Sequence, residues 1–235
     1  MKTVLHTADS RGHANHGWLD SYHTFSFANY YNPNRVNFGV LRVLNDDCVA
    51  AGKGFGKHPH DNMEIISIPL SGDLEHHDSM GNHGIITSGE IQVMSAGTGI
   101  THSEFNANSE NEVRFLQIWV IPNQKNVTPR YDQISLADIH KPEALYQILS
   151  PNADDQGVWI HQNVWFHLGE LSAGWSGKYD WKETENGVYF FVIEGEVTIG
   201  GQHLSHRDGL GITETTSVEI VTHSATKLLV MEVPM

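Results

Sequence analysis

Apolar residues along this chain come in short runs rich in Val, Ile and aromatics, each closed by Gly, Asn, Asp or Ser, as in VNFGVLRVL, EIISIPL, EIQVMSA, VRFLQIWVI and TKLLVMEV. That pattern predicts strands and turns, because β-branched and ring side chains fit a pleated surface while the small polar residues supply turn chemistry. Several runs, such as GVYFFVIEGEVTI and GVWIHQNVWFHL, are apolar at both alternating positions, so both faces of those strands must be covered. A filled barrel or sandwich meets that demand. Only SLADIH and NPNRV offer helix candidates, and both are short. The expected fold class is all-β.

The order of elements repeats. EIISIPLSGDLEH, SGEIQVMSAG and VRFLQIWVIP in the first half are matched by VYFFVIEGEVTIGG, RDGLGITETTSVEIV and TKLLVMEVP in the second. A period of about 120 residues is too long for a solenoid and suits two copies of one β-domain. With the polar stretch PNQKNVTPRYDQ as linker, the expectation is two tandem β-barrels, a first domain over residues 1–125 and a second over 126–235.

Charge narrows the range of partners. Asp and Glu total 28 against 14 Lys and Arg, and the formal charge of -14 repels a phosphate backbone or an anionic membrane surface, so neither direct nucleic-acid binding nor membrane binding is expected. The single cysteine, Cys48, excludes an intramolecular disulfide and a cysteine-rich metal cluster. It follows Asp46 and Asp47, which should raise its pKa and leave the thiol inert. With neither a signal-like start nor a long apolar segment, a cytoplasmic protein is the expectation.

Sixteen histidines stand out. About one H-x-H pair is expected by chance in such a chain, so the pair in GFGKHPHDNMEII carries weight only through its setting. On an extended segment His58 and His60 point to the same side, Pro59 favours the extended form, and glycines at 52, 54 and 56 allow turning and close approach of neighbouring chain. A second pair with the same spacing, His102 and Glu104, follows glycines 97 and 99 in SAGTGITHSEFN. Three imidazoles and one carboxylate converging on one point would leave open coordination positions, a set suited to Fe(II), Mn, Co, Ni or Cu. Zinc would bind there too, without redox chemistry. The alternative is that these are surface or packed histidines in glycine-rich turns.

The stretches KHPHDNMEII, GDLEHHDSMGNHGIITSGEIQVMSAGTGITHSEFN and RGHANHGWLDSYHTFSFANYYNP together resemble the pirin family of the cupin superfamily, in particular its bacterial quercetinase members, through most of residues 8–133. The resemblance implies a bicupin, two tandem jelly-roll barrels with one metal per chain, usually iron, in the first barrel only. It assigns the ligands to His58, His60, His102 and Glu104. The common cupin pattern would use Glu64 instead, and in pirins that glutamate is not a ligand. Ser95 stands where cupins often have proline, a departure that pirins share. In the second barrel the positions equivalent to His58 and His60 are Trp181 and Glu183, and His203, His206 and His223 are scattered, so no metal site is expected there.

What the resemblance implies about activity is a metal-dependent dioxygenase that opens a flavonol such as quercetin with O2, acting as a monomer. Glu104, or Glu64 behind it, would take the substrate hydroxyl proton, and Glu64 is otherwise either a support for a ligand imidazole or a residue facing solvent. The alternative is a metal-bound redox sensor or transcription co-regulator working through a protein partner; a further one is a cupin isomerase. His23, Phe25 and Phe27 share a strand face and either wall the pocket or belong to the core, the latter favoured for the phenylalanines. His76 and His77 are read as part of a solvated hairpin turning near Gly81 and Asn82 rather than as a further metal site.

Overall fold

The computed structural model describes all residues 1–235, and its strands form two seven-stranded and two four-stranded sheets, one of each size per barrel. In the first barrel the large sheet runs Arg130–Ser135, Glu90–Ser95, Glu64–Ser71, Val113–Val120, Leu41–Val49, Leu19–His23, Gly12–Asn15. Its small sheet runs Gly54–His60, Ile100–Asn106, Asp73–Asp78, His83–Thr87. The second barrel repeats the scheme, and the all-β bicupin expectation is met. Pairing is antiparallel throughout except where Leu145–Ser150 meets Val158–Trp159.

The doubly apolar runs have a direct physical reason. Along Asn186–Glu194, Val188, Phe190 and Val192 point into the second barrel, whereas Tyr189, Phe191 and Ile193 pack in a shared core of 26 buried residues that also takes Leu44, Ile66 and Leu116 from the first. The two large sheets therefore pack back to back, and each central strand buries both faces. A fully buried side chain of this size contributes about 1.5–3 kcal/mol, so the shared core ties the barrels into one unit.

The interiors of the two barrels differ. The second holds one continuous apolar cluster of 14 residues, including Trp181. The first holds two small clusters of 6 and 4 residues, and polar side chains occupy the space between them. A barrel that gives up a continuous core has room for chemistry.

Two helix expectations are corrected. SLADIH forms only a single 3-10 turn, Leu136–Asp138, and NPNRV forms turns without a helix. No helix is long and apolar enough to cross a membrane. Strands also cross the 125/126 boundary in both directions: Lys2–His6 pairs with Gly209–Thr213 of the second barrel, and Arg130–Ser135 pairs with Glu90–Ser95 of the first.

Candidate metal centre

The strands Gly54–His60 and Ile100–Asn106 pair with His102 directly opposite His58, and the period of two brings His60 and Glu104 to the same side. A register shift between His102 and Glu104 gives the ligand strand a bulge, a device that re-aims side chains. Gly54 is required here: a Cβ would strike the Glu104 carbonyl and Phe105 across the pair. At Gly56 the space is open, so the close approach depends on one of the three glycines.

The donor atoms of His58, His60 and His102 lie within 4.8 Å of one another. Ring centroids are 4.4 Å apart for His58 and His102, 4.8 Å for His58 and His60, and 5.0 Å for His60 and His102. His58 Nδ1 lies 2.7 Å from the Gly56 carbonyl, which fixes its proton there and leaves Nε2 as a bare donor. Burial lowers the pKa of His60 to about 4 and of His102 to about 2, with the neighbouring imidazoles acting in the same direction, so both rings are neutral at physiological pH. Neutral imidazole is the form that binds a metal.

His102 is left with an unmet need for a partner. Both of its ring nitrogens are buried and neither has a hydrogen-bond partner. An unpaired buried nitrogen is costly, and a cation at the point where three imidazoles converge would satisfy the one facing it. Glu104 stands beside them, its Oε1 accepting from Ser67 Oγ at 3.1 Å and its Oε2 from Gln117 Nε2 at 2.8 Å. Burial pushes this carboxyl up to about 7 against those two hydrogen bonds.

Glu64 is elsewhere. Its carboxylate accepts from Ser95 Oγ at 2.6 Å, it does not line the cavity, and it touches no ligand imidazole. The reading of Glu64 as a solvent-facing residue is corrected, since it is 1% exposed; Ser95, in the place where cupins often have proline, engages it. Burial raises its pKa to about 7, above the ordinary 4.5. The folded chain thus holds this proton more tightly than the unfolded chain, and stability falls as pH rises from about 4.5 to about 7. Glu64→Gln, which keeps an acceptor for Ser95, removes that dependence. Urea titrations across this window are expected to show the variant gaining roughly 1–3 kcal/mol on the wild type as pH rises; parallel curves would contradict it.

His76 is corrected as well. The hairpin turns where expected, but only His77 is solvated; His76 is fully buried, 5.4 Å from the His102 ring and 4.7 Å from the Tyr131 ring, with Nε2 3.1 Å from Asp78 Oδ2. It packs behind the His102 ring. Cys48 is raised to about 11 as expected, but by burial first and then by its contact with Glu112. His203, His206 and His223 are exposed.

A cavity of about 500 Å³ opens beside the imidazoles. Phe27 and Trp119 meet edge to face at 5.4 Å on its wall, and Trp119 also packs 4.9 Å from His60. Phe25 lies in the shared core, so the two phenylalanines part company, with Phe27 and His23 at the cavity. Sequence reasoning missed a polar patch that adjoins Phe27 through His23. Cross-strand register sets His23 against Asn45 and Ser21 against Asp47, so all four share one face. Ser21 Oγ donates to Asp47 and lies 2.8 Å from His23 Nε2. Burial raises Asp47 to about 7 and lowers His23 to about 4. The alternation in LDSYH and LNDD was the available signal, but the strand pairing that joins them was not.

Residues 4–120 match the family model described as Pirin, and residues 147–233 match that of the quercetinase C-terminal cupin domain. Quercetin 2,3-dioxygenase of Escherichia coli (strain K12) is 44% identical over 230 residues, which span 98% of this chain and 98% of that protein. A pirin-like protein of Caulobacter vibrioides is 36% identical over 225 residues, covering 95% and 96% of the two chains. The crystal structure of the bacterial pirin YhhW from Escherichia coli in complex with nickel(II) matches with a TM-score of 0.94 at 42% identity, over 99% of each chain.

Proposed function

This chain belongs to the pirin family, and on that premise we propose that it is a metal-dependent dioxygenase that opens a flavonol such as quercetin with O2. The observation that carries the reading is the convergence of three imidazoles beside a cavity of about 500 Å³ that is lined by two of them, His58 and His60, and by aromatic and polar side chains. The relative named quercetin 2,3-dioxygenase and the nickel-bound pirin structure support a divalent metal and flavonol chemistry. His58, His60, His102 and Glu104 would hold the metal, with Fe(II) as our first choice and Mn, Co, Ni, Cu or Zn also compatible with these donors. Bound there, the metal supplies Lewis acidity toward an enolic oxygen and, if redox-active, a means of engaging O2.

The protein's own residues do the remaining work. Phe27 and Trp119 give a flat aromatic ring two apolar faces and keep water from the imidazoles. Ser21, His23, Asn45 and Asp47, which also line the cavity, give its hydroxyl groups polar partners that fix the ring's orientation. Glu104 lines the cavity beside His58 and His60, and it is the carboxylate we assign to accept the substrate hydroxyl proton at an Oε. The test is steady-state flavonol loss and O2 uptake by purified, metal-loaded protein. Turnover that disappears in His58→Ala is expected; no flavonol loss, or a variant equal to the wild type, sinks the reading.

A further inference from the structure

The geometry points to a second metal site, on the outer face of the hairpin behind the first: Glu75, His77 and His83 bind a divalent cation of the zinc, nickel or copper(II) class, with solvent completing its coordination. The strand Asp73–Asp78 buries His76 toward the barrel interior, and the period of two turns Glu75 and His77 outward. On the adjoining strand His83 pairs directly with His77. Their rings stack at 3.7 Å between centroids and 18° between planes, which brings both Nε2 atoms to the same edge.

Those two nitrogens approach one oxygen. His77 Nε2 lies 3.2 Å and His83 Nε2 3.0 Å from Glu75 Oε1, and the three donor atoms lie within 4.8 Å of one another. Ligands bound to one ion at about 2.0–2.2 Å sit roughly 3–3.5 Å apart, so the nitrogen–oxygen separations already match two edges of a coordination shell. In the metal-free chain these contacts are hydrogen bonds, and a cation can replace the bridging protons once the two imidazoles, whose planes are 18° apart, turn to aim their nitrogens at it.

The frame is fixed before any ion arrives. Asp78 Oδ1 accepts from the backbone N–H of Met80 at 2.9 Å and of Asn82 at 3.0 Å, and Gly81 takes the left-handed conformation that closes the turn. Two imidazoles and a carboxylate favour borderline cations over magnesium or calcium. The chain's charge of -14 attracts any cation. His77 is also register-paired with Ser103, the residue between His102 and Glu104, so the two sites lie back to back across one sheet. This site does not depend on the dioxygenase reading.

Calorimetric titration of chelator-stripped full-length protein with zinc tests it. His77→Gln/His83→Gln is expected to bind about one zinc fewer per chain than the wild type, and in His58→Ala that hairpin equivalent persists. The two side chains are 49% and 58% exposed, so the double variant is expected to keep the wild-type melting temperature without metal. Glu75→Gln, which leaves both rings in place, should weaken that equivalent at least about tenfold. An unchanged zinc count in the double variant, or unchanged affinity in Glu75→Gln, overturns the proposal.

Discussion

His102→Ala protein, purified under conditions that give the wild type close to one transition metal at the central site, is expected to retain almost none there and to lose flavonol turnover with it. His102 lies between the other two imidazoles and His76, in register with His58, and carries two buried nitrogens with no protein partner. His76 stands behind it with Nε2 engaged by Asp78, on the far side of His102 from the other two imidazoles. Removing a group that only supports a ligand costs about 10–100-fold in metal affinity, and removing a ligand should cost more. Glu104→Ala is expected to behave similarly, leaving Gln117 Nε2 without its acceptor while Ser67 keeps only Gln117 Oε1. Glu64→Gln should keep its metal, since Glu64 is bound to Ser95 and stands away from the imidazoles. Elemental analysis of the three proteins, after blocking the hairpin with His77→Gln/His83→Gln, separates the sites. Metal retained at wild-type level in His102→Ala would refute the assignment.

The largest loss of stability is expected in the barrel without paired histidines. Glu232 is fully buried and accepts from Tyr179 Oη at 2.9 Å, from the backbone N–H of Lys182 and Glu183 at 2.9 Å, and from Asn186 Nδ2 at 3.0 Å. Lys182 and Glu183 follow Trp181, the position where the first barrel has His58. The carboxylate thus pins, from inside the chain, the segment that in the first barrel carries the paired histidines. Glu232→Ala leaves these donors buried and unpaired, and should lower the unfolding free energy by about 3–5 kcal/mol. Glu232→Gln, which keeps an acceptor oxygen, should lose less. Urea denaturation measures both; an alanine variant within about 1 kcal/mol of the wild type would show that the donors find other partners.

Much of this was legible in the sequence, for reasons specific to strands. A period of two identifies which residues share a face, so His58 with His60 and His102 with Glu104 could be paired on sight, and the doubly apolar run around Phe190 announced a strand covered on both sides. Which strand lies beside which is set by contacts distant in the chain. Ser21 and Asp47 are therefore silent until the register Ser21↔Asp47 brings them together. The adjacent histidines 76 and 77 show the same limit: alternation requires that one point inward, and only the sheet's position in the barrel decides which. The glutamate of HDNMEII was misleading because spacing from His60 carries no information about Ser95, which holds it.

The exchange of edge strands between barrels bears on whether this protein can be divided. A gene cut at the codon for residue 125 would yield a fragment carrying every proposed central ligand, yet Lys2–His6 would be parted from Gly209–Thr213 and Arg130–Ser135 would be missing from the edge beside Glu90–Ser95. The severed half would also present the Leu44, Ile66 and Leu116 side of the shared core to water. Either half alone would be a sticky remnant, so the barrel without paired histidines serves as the other half of one fold.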